Sequence, residues 1–155
     1  MFASDTINKK RGYMKGSCLC GAVAFEVSVT PSLFYRCHCS LCRKQSGTGY
    51  NLATLVNVGD FSWLKGEKGV TSWTKQTGYR SDFCSACGST VPNTLRDMPY
   101  VWIPVGLLDE RLDMQCIGDY CTDDAMPWDK TRTNNNHAGP VTSLAALLKS
   151  LKLTD

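Results

Sequence analysis

No stretch of this sequence approaches the run of about 18 apolar residues that a membrane-spanning helix needs, which excludes a membrane partner of that kind. The first residues, MFASDTINKKRGYMKG, are polar and lack the apolar core of a secretory signal, so the chain is expected in the cytoplasm. An excess of one charge sign is missing as well. Lys and Arg number 17 against 14 Asp and Glu, and the resulting +3 is scattered rather than clustered, which argues against a nucleic-acid partner. No long helical period precedes residue 140, no internal repeat lies outside the cysteine groups, and no linker marks a second domain. With 43% hydrophobic and 20% charged residues the chain is not disordered, collagen-like or a coiled coil. One domain over residues 1–155 is expected, long enough to bury roughly 68–70% of its unfolded surface without staples.

Histidine is scarce, with two copies, whereas cysteine is abundant, with nine. In a reducing cytoplasm such cysteines serve more often as metal ligands or reactive thiols than as disulfides, and an odd number cannot all pair within one chain. Seven fall in three tight groups: Cys18-Leu19-Cys20-Gly21, Cys37-His38-Cys39-Ser40-Leu41-Cys42 and Cys84-Ser85-Ala86-Cys87-Gly88. These spacings match neither common ferredoxin pattern. The first and third groups both end in Cys-Gly, as a metal knuckle requires where the chain turns under a sulfur with positive φ. Cys18 and Cys20 are therefore paired with Cys84 and Cys87 as two knuckles closing one tetrahedral zinc site, which clips together the two ends of the intervening chain.

Cys37, Cys39 and Cys42 remain. Three protein ligands and one open position are the arrangement of catalytic rather than structural zinc, although a second structural zinc has the same spacing. In an extended segment His38 points away from its two cysteine neighbours. His137, an Asp or a water is left to supply the fourth ligand. Cys116 and Cys121 follow no ligand pattern and read as small buried hydrophobes. Arg36, Arg43, Lys44 and Arg80 adjoin the cysteine groups in sequence, where they either stabilise thiolates, meet an anionic substrate, or are plain surface charges. Trp63, Trp73 and Trp102 read as core residues, and Trp128, after Pro127, as the one to line a cleft.

The rest of the chain is mainly β in pattern. Ala22–Val29, Tyr50–Val58, Phe61–Leu64, Val70–Thr74, Tyr79–Phe83 and Tyr100–Leu107 are strand candidates, with Pro104 confining the last to an edge or bulge. A turn at 65–69 is expected to bring Val70–Thr74 back against Phe61–Leu64. After an Asn-rich loop at 134–136, Val141, Leu144, Ala145, Leu148 and Leu151 fall on one face of a short C-terminal helix.

Three ordered stretches carry a family resemblance: Gly16-Ser17-Cys18-Leu19-Cys20-Gly21-Ala22-Val23-Ala24-Phe25-Glu26, then Cys37 to Lys44 with Gly47, then Phe83-Cys84-Ser85-Ala86-Cys87-Gly88-Ser89. Together with Gly106-Leu107-Leu108-Asp109 and Pro127-Trp128 they resemble the glutathione-dependent formaldehyde-activating enzyme (GFA) and centromere-protein-V-like family, over about residues 15–130. The resemblance implies an Mss4-like fold of small coiled antiparallel sheets with zinc knuckles. It implies a structural zinc on Cys18, Cys20, Cys84 and Cys87 and a catalytic zinc on Cys37, Cys39 and Cys42. The implied chemistry is that of a carbon–sulfur lyase, the condensation of glutathione with formaldehyde to S-hydroxymethylglutathione.

The expected function is thus a zinc enzyme that adds a small-molecule thiol such as glutathione to formaldehyde or a similar electrophile. Arg43, Lys44 and Arg80 are candidates, by proximity, to hold the carboxylates of that thiol. A non-catalytic, zinc-stabilised binding module is the alternative, since Mss4-like folds also serve in interactions. The lack of a basic tail or cluster sets aside the DNA or cytoskeletal binding suggested by the centromere-protein-V branch.

Overall fold

The structure, a computed structural model, describes residues 13–155. The polar N-terminal stretch lies, through residue 12, outside the described residues. In chain order the elements are β1 (Met14–Ser17), β2 (Ala24–Val27), β3 (Leu33–Cys37), α1 (Ser40–Ser46), β4 (Asn51–Asn57), β5 (Phe61–Lys65), β6 (Val70–Thr74), β7 (Arg80–Cys84), β8 (Asn93–Thr94), β9 (Tyr100–Pro104), β10 (Gln115–Tyr120) and α2 (Leu144–Ser150). Where one core is expected, the packing divides into two compact units. One is the chain up to Pro31 with Val56–Leu112, and the other is Ser32–Leu55 with Asp113–Asp155. Neither is a continuous segment. The fold class is the one expected, mainly β with small sheets and a short C-terminal helix.

In the first unit, β1, β2 and β5 form an antiparallel sheet with β2 central. Alternation along β2 buries Phe25 and Val27, and these join Val56, Val101 and Ile103 in one apolar cluster. Each such side chain taken from water contributes about 1.5–3 kcal/mol. Phe25 stacks on Phe61 at 5.5 Å and meets Trp63 edge-on at 6.4 Å. A β-carbon on Gly16 would stand 2.3 Å from the Phe25 ring, so only glycine lets β1 approach this closely. The same pairing corrects the expected β5–β6 hairpin. β5 spends its Phe61 and Trp63 on β2, while β6 pairs with β7, from Val70 opposite Cys84 to Thr74 opposite Arg80. The hairpin turn is at 75–79, closed by Lys75 N–H donating to Tyr79 O at 2.8 Å. On that ribbon Trp73 is 53% exposed rather than core. β8 pairs with β9. Pro104, which has no N–H to continue a ladder, ends β9, and a 3-10 turn follows.

In the second unit β3 lies between β4, antiparallel to it, and β10, parallel to it. The parallel register sets Asp119 opposite Arg36 and Tyr120 opposite Cys37. α1 follows β3 after two residues and ends at Gly47, whose N–H donates to Arg43 O at 2.9 Å. The Ser143 hydroxyl caps α2 by accepting from Ala146 N–H at 3.0 Å. The helix therefore starts at Leu144 and leaves Val141 outside it. The residues it buries are Leu147, Leu148 and, at its end, Leu151, whereas Ala145 is exposed. Among the described residues, no helix is long and apolar enough to cross a membrane.

Candidate metal centres

The first unit brings Cys18, Cys20, Cys84 and Cys87 together, all four sulfurs within 4.8 Å of one another. A tetrahedron with metal–sulfur bonds of about 2.3 Å has edges of about 3.8 Å. Cys18 and Cys20 stand 3.7 Å apart, and Cys20 and Cys84 3.9 Å. Each knuckle closes on its glycine: Gly21 N–H donates to Cys18 O, three residues back, at 3.1 Å, and Gly88 N–H to Cys84 O, four residues back, at 2.7 Å. Gly21 and Gly88 have φ of 80° and 77°, the left-handed conformation expected of them. The first turn aims the Val23 N–H at the Cys18 sulfur, at 3.3 Å. Burial disfavours the Cys18 thiolate, but the Val23 amide and the three neighbouring thiols outweigh it and bring the thiol down to about 6. Val23 and Val91 back the group with apolar surface.

In the second unit the sulfurs of Cys37, Cys39 and Cys42 likewise lie within 4.8 Å of one another. Cys37 ends β3, Cys39 is the N-cap of α1, and Cys42 is buried in its first turn. The Cys39 sulfur accepts from Cys42 N–H at 3.3 Å. Hydrogen bonds from Cys37 and Cys42 hold the Cys39 thiol well below its ordinary range against burial, and Cys37, donating to Cys39, is pushed up. A dication replaces those shared protons by lone-pair donation from each sulfur, so both groups suit a thiophilic metal such as zinc.

Behind the second group lies a charged cluster that the sequence reading missed. His38 is fully buried, with Nδ1 2.6 Å from Asp129 Oδ2 and Nε2 2.7 Å from Asp119 Oδ1. For both contacts to be hydrogen bonds a proton must occupy each gap, so the trio holds one proton more than a neutral imidazole beside two carboxylates. Asp119 also accepts from Arg36 Nε at 2.7 Å and from the Thr133 amide at 2.6 Å. Those donors, Arg36 and His38 foremost, overcome desolvation and hold its carboxyl well below the usual range. Arg36 in turn lies over the Tyr50 ring, 5.5 Å from its centre. The one available signal was the alternation that turns His38 away from Cys37 and Cys39, because a buried imidazole requires partners.

The remaining candidates scatter. Arg43 and Lys44 sit on α1, and Arg43 Nε is buried without a hydrogen-bond partner. Arg80 belongs to the first unit and is held by Asp82 at 2.7 and 2.8 Å. His137 is outside the three-sulfur group and stacks on Tyr120 at 4.5 Å. Trp128 is 64% exposed. The Cys116 thiol donates to Gly118 O at 3.3 Å. Cys121, read as a small hydrophobe, is buried. None of the nine cysteines forms a disulfide.

Comparison with known proteins adds to this geometry. The family model for the glutathione-dependent formaldehyde-activating enzyme matches residues 13–123, a span that holds every cysteine of the chain. A Halomonas elongata protein named "Putative glutathione-dependent formaldehyde-activating enzyme" is 37% identical over 84 residues, covering 50% of this chain and 54% of that protein. The chain thus spans about half the length of the curated relative it matches. A crystal structure of a Rhodobacter sphaeroides protein is similar with a TM-score of 0.52 at 27% identity, covering 63% of this chain and 90% of that one.

Proposed function

The chain belongs to the glutathione-dependent formaldehyde-activating enzyme family, and from that premise we propose that it is a zinc-dependent carbon–sulfur lyase that adds a glutathione-like thiol to formaldehyde or a related small electrophile. The observation that carries this reading is the inequality of the two sulfur groups, four in one and three in the other. Cys18, Cys20, Cys84 and Cys87 satisfy a tetrahedral ion among themselves and take the structural role. Cys37, Cys39 and Cys42 leave one position for a reactant. Zinc held there supplies a place for a thiol to bind as thiolate at neutral pH and a Lewis acid for a carbonyl oxygen.

The chain's own residues do the rest. The Cys42 amide and the neighbouring thiols keep the Cys39 sulfur anionic. His38, clamped at both nitrogens, fixes the backbone between Cys37 and Cys39, so it is a positioning residue and does not touch substrate. Arg43 and Lys44 are the cations we assign to the carboxylates of the thiol. Arg80, committed to Asp82, is the weaker candidate. In the reaction the sulfur–carbon bond forms, the carbonyl π bond opens onto oxygen, and the thiol proton ends on the new hydroxyl. Holding the two reactants together is the main source of acceleration. A reducing compartment such as the cytoplasm suits both thiol groups.

The test is exchange NMR with glutathione and 13C-formaldehyde on the zinc-loaded chain. Faster formation of the hydroxymethyl thioether than in buffer, abolished by Cys39→Ser in a chain that stays folded, is the expected result. No acceleration with both groups metal-loaded overturns the enzyme and favours the binding-module reading.

A further inference from the structure

The cysteines of this chain differ most in their access to solvent. Of the nine, Cys20 alone is exposed, whereas Cys18, Cys42, Cys84 and Cys121 are buried and the other four are half-buried. The exposure follows from the first knuckle. Gly21 N–H donates to Cys18 O at 3.1 Å and Cys18 N–H to Val23 O at 3.0 Å, which draws Cys18 under the turn and leaves Leu19 and Cys20 at its tip. Leu19 is 86% exposed, and a β-carbon built on Gly21 would meet nothing within 4 Å. A small solute therefore reaches the Cys20 sulfur without displacing the chain.

Two buried sulfurs stand beside that exposed one, Cys18 at 3.7 Å and Cys84 at 3.9 Å. An accessible sulfur next to a second thiol that can resolve it is the arrangement of oxidant-sensitive cysteines. The two neighbours are not equivalent. A bridge from Cys20 to Cys18 would close a small ring around Leu19 and pull against the two backbone hydrogen bonds that shape the turn. The Cys18 sulfur is also held by the Val23 N–H at 3.3 Å. Cys84 ends β7 and lies 64 positions away in the sequence, so a bridge to it joins two separate segments and closes no small ring.

We propose that Cys20 is a peroxide-reactive site and that Cys84 resolves it, so that a disulfide can tie the two knuckles together in place of a metal. The Cys20 sulfur attacks one peroxide oxygen and the oxygen–oxygen bond breaks. The departing hydroxide leaves as water with the thiol proton, and Cys20 becomes a sulfenic acid. The Cys84 sulfur then attacks the Cys20 sulfur, the sulfur–oxygen bond breaks, and the hydroxide released takes the Cys84 proton as a second water. Each sulfur gives up one electron, and the peroxide takes both. The bridge closes the same long loop and restrains the unfolded chain, but it removes two of the four donors, so oxidation and metal retention exclude each other at this group. This chemistry concerns the four-sulfur group alone and is independent of catalysis at Cys37, Cys39 and Cys42.

The experiment treats the full wild-type chain, with its metal content measured, with hydrogen peroxide in the presence of dimedone, which traps sulfenic acids. Tryptic peptides are then fragmented in a mass spectrometer, and the first adduct is expected on Cys20. Without dimedone, the expected result is the loss of two of the nine thiols, release of one metal to a chromogenic chelator, and a reducible crosslink between peptides 16–36 and 81–96. Fragmentation should place that crosslink at Cys20 and Cys84. The oxidised chain should keep a cooperative thermal transition and lose it when a reductant and a chelator are added together. A first adduct on any other cysteine overturns the proposal, and so does a disulfide confined to Cys18 and Cys20. The Cys20–Cys84 crosslink formed with no metal present at the start supports the proposal and overturns the metal reading of this group instead.

Discussion

At Cys18, Cys20, Cys84 and Cys87 the sulfurs are gathered by two short turns, each closed by a glycine at positive φ, against a backing of Val23 and Val91. At Cys37, Cys39 and Cys42 they are gathered by a single strand-to-helix junction, and the backing is Arg36, His38, Asp119 and Asp129. The first construction is local and apolar, and it joins β1 to β7 across 63 residues that separate Cys20 from Cys84. The second needs no metal to close a long loop, because its three cysteines span only residues 37–42. It is backed instead by buried polar and charged side chains that are hydrogen-bonded to one another, which is what makes their burial tolerable. One group can therefore be spared by the fold and the other cannot.

The largest effect expected from this difference is between two serine substitutions. On the proposed metal reading, Cys84→Ser removes a ligand that holds distant segments together, and the binding free energy of such a site is folding free energy, of order 10 kcal/mol. Loss of the cooperative thermal transition and of both metals is the expected outcome. Cys39→Ser is expected to keep the transition and to lose one metal of two. Equal destabilisation by the two substitutions, read by circular dichroism and metal content, would erase the distinction between the groups.

The contrast also explains what was legible in the sequence. Cys-Gly at 20–21 and 87–88 announces a left-handed turn from two adjacent letters, and the structure has it at both places. His38 has partners 81 and 91 residues away. Nothing near Asp119 or Asp129 marks them as other than surface acids, because a parallel pairing of β10 with β3 leaves no hairpin signal. α1 escaped notice because seven residues with one buried side chain, Cys42, have no apolar stripe. The β5–β6 hairpin was misread for a related reason, since two strands joined by a short turn pair only when the first has an edge to give, and β5 gives its edge to β2.

A middle-sized effect is expected at Asp119. Removing one partner of a buried charge pair costs about 3–5 kcal/mol, and Asp119→Asn leaves Arg36 and His38 facing an amide. The sign with pH follows from its depressed carboxyl. A carboxylate whose folded value lies below its unfolded value, about 3.9, stabilises fully above that value. The stabilisation is lost as pH falls toward the folded value. Wild type should therefore lose stability below about pH 4 more steeply than Asp119→Asn, by up to one proton, or about 1.4 kcal/mol per pH unit. Denaturant melts of both chains at a series of pH values measure this directly, and parallel curves would remove Asp119 from the acid response.

The smallest effect is steric and tests whether the charged backing is held rigidly. A β-carbon at Gly49 would stand 2.8 Å from Asp129 Cγ and 2.9 Å from Oδ2, the oxygen that faces His38 Nδ1. Gly49→Ala must move that carboxylate or move β4, since the ring opposite is fully buried and fixed by Asp119 at its other nitrogen. Overpacking of this kind costs about 1–3 kcal/mol. If the cluster positions Cys37 and Cys39, the alanine should also weaken metal retention at the three-sulfur group, seen as faster loss of one metal to a chelator, and leave the four-sulfur group unaffected. A chain destabilised by that amount whose two metals leave at unchanged rates would mean that the charges support the fold of the second unit without shaping its thiols.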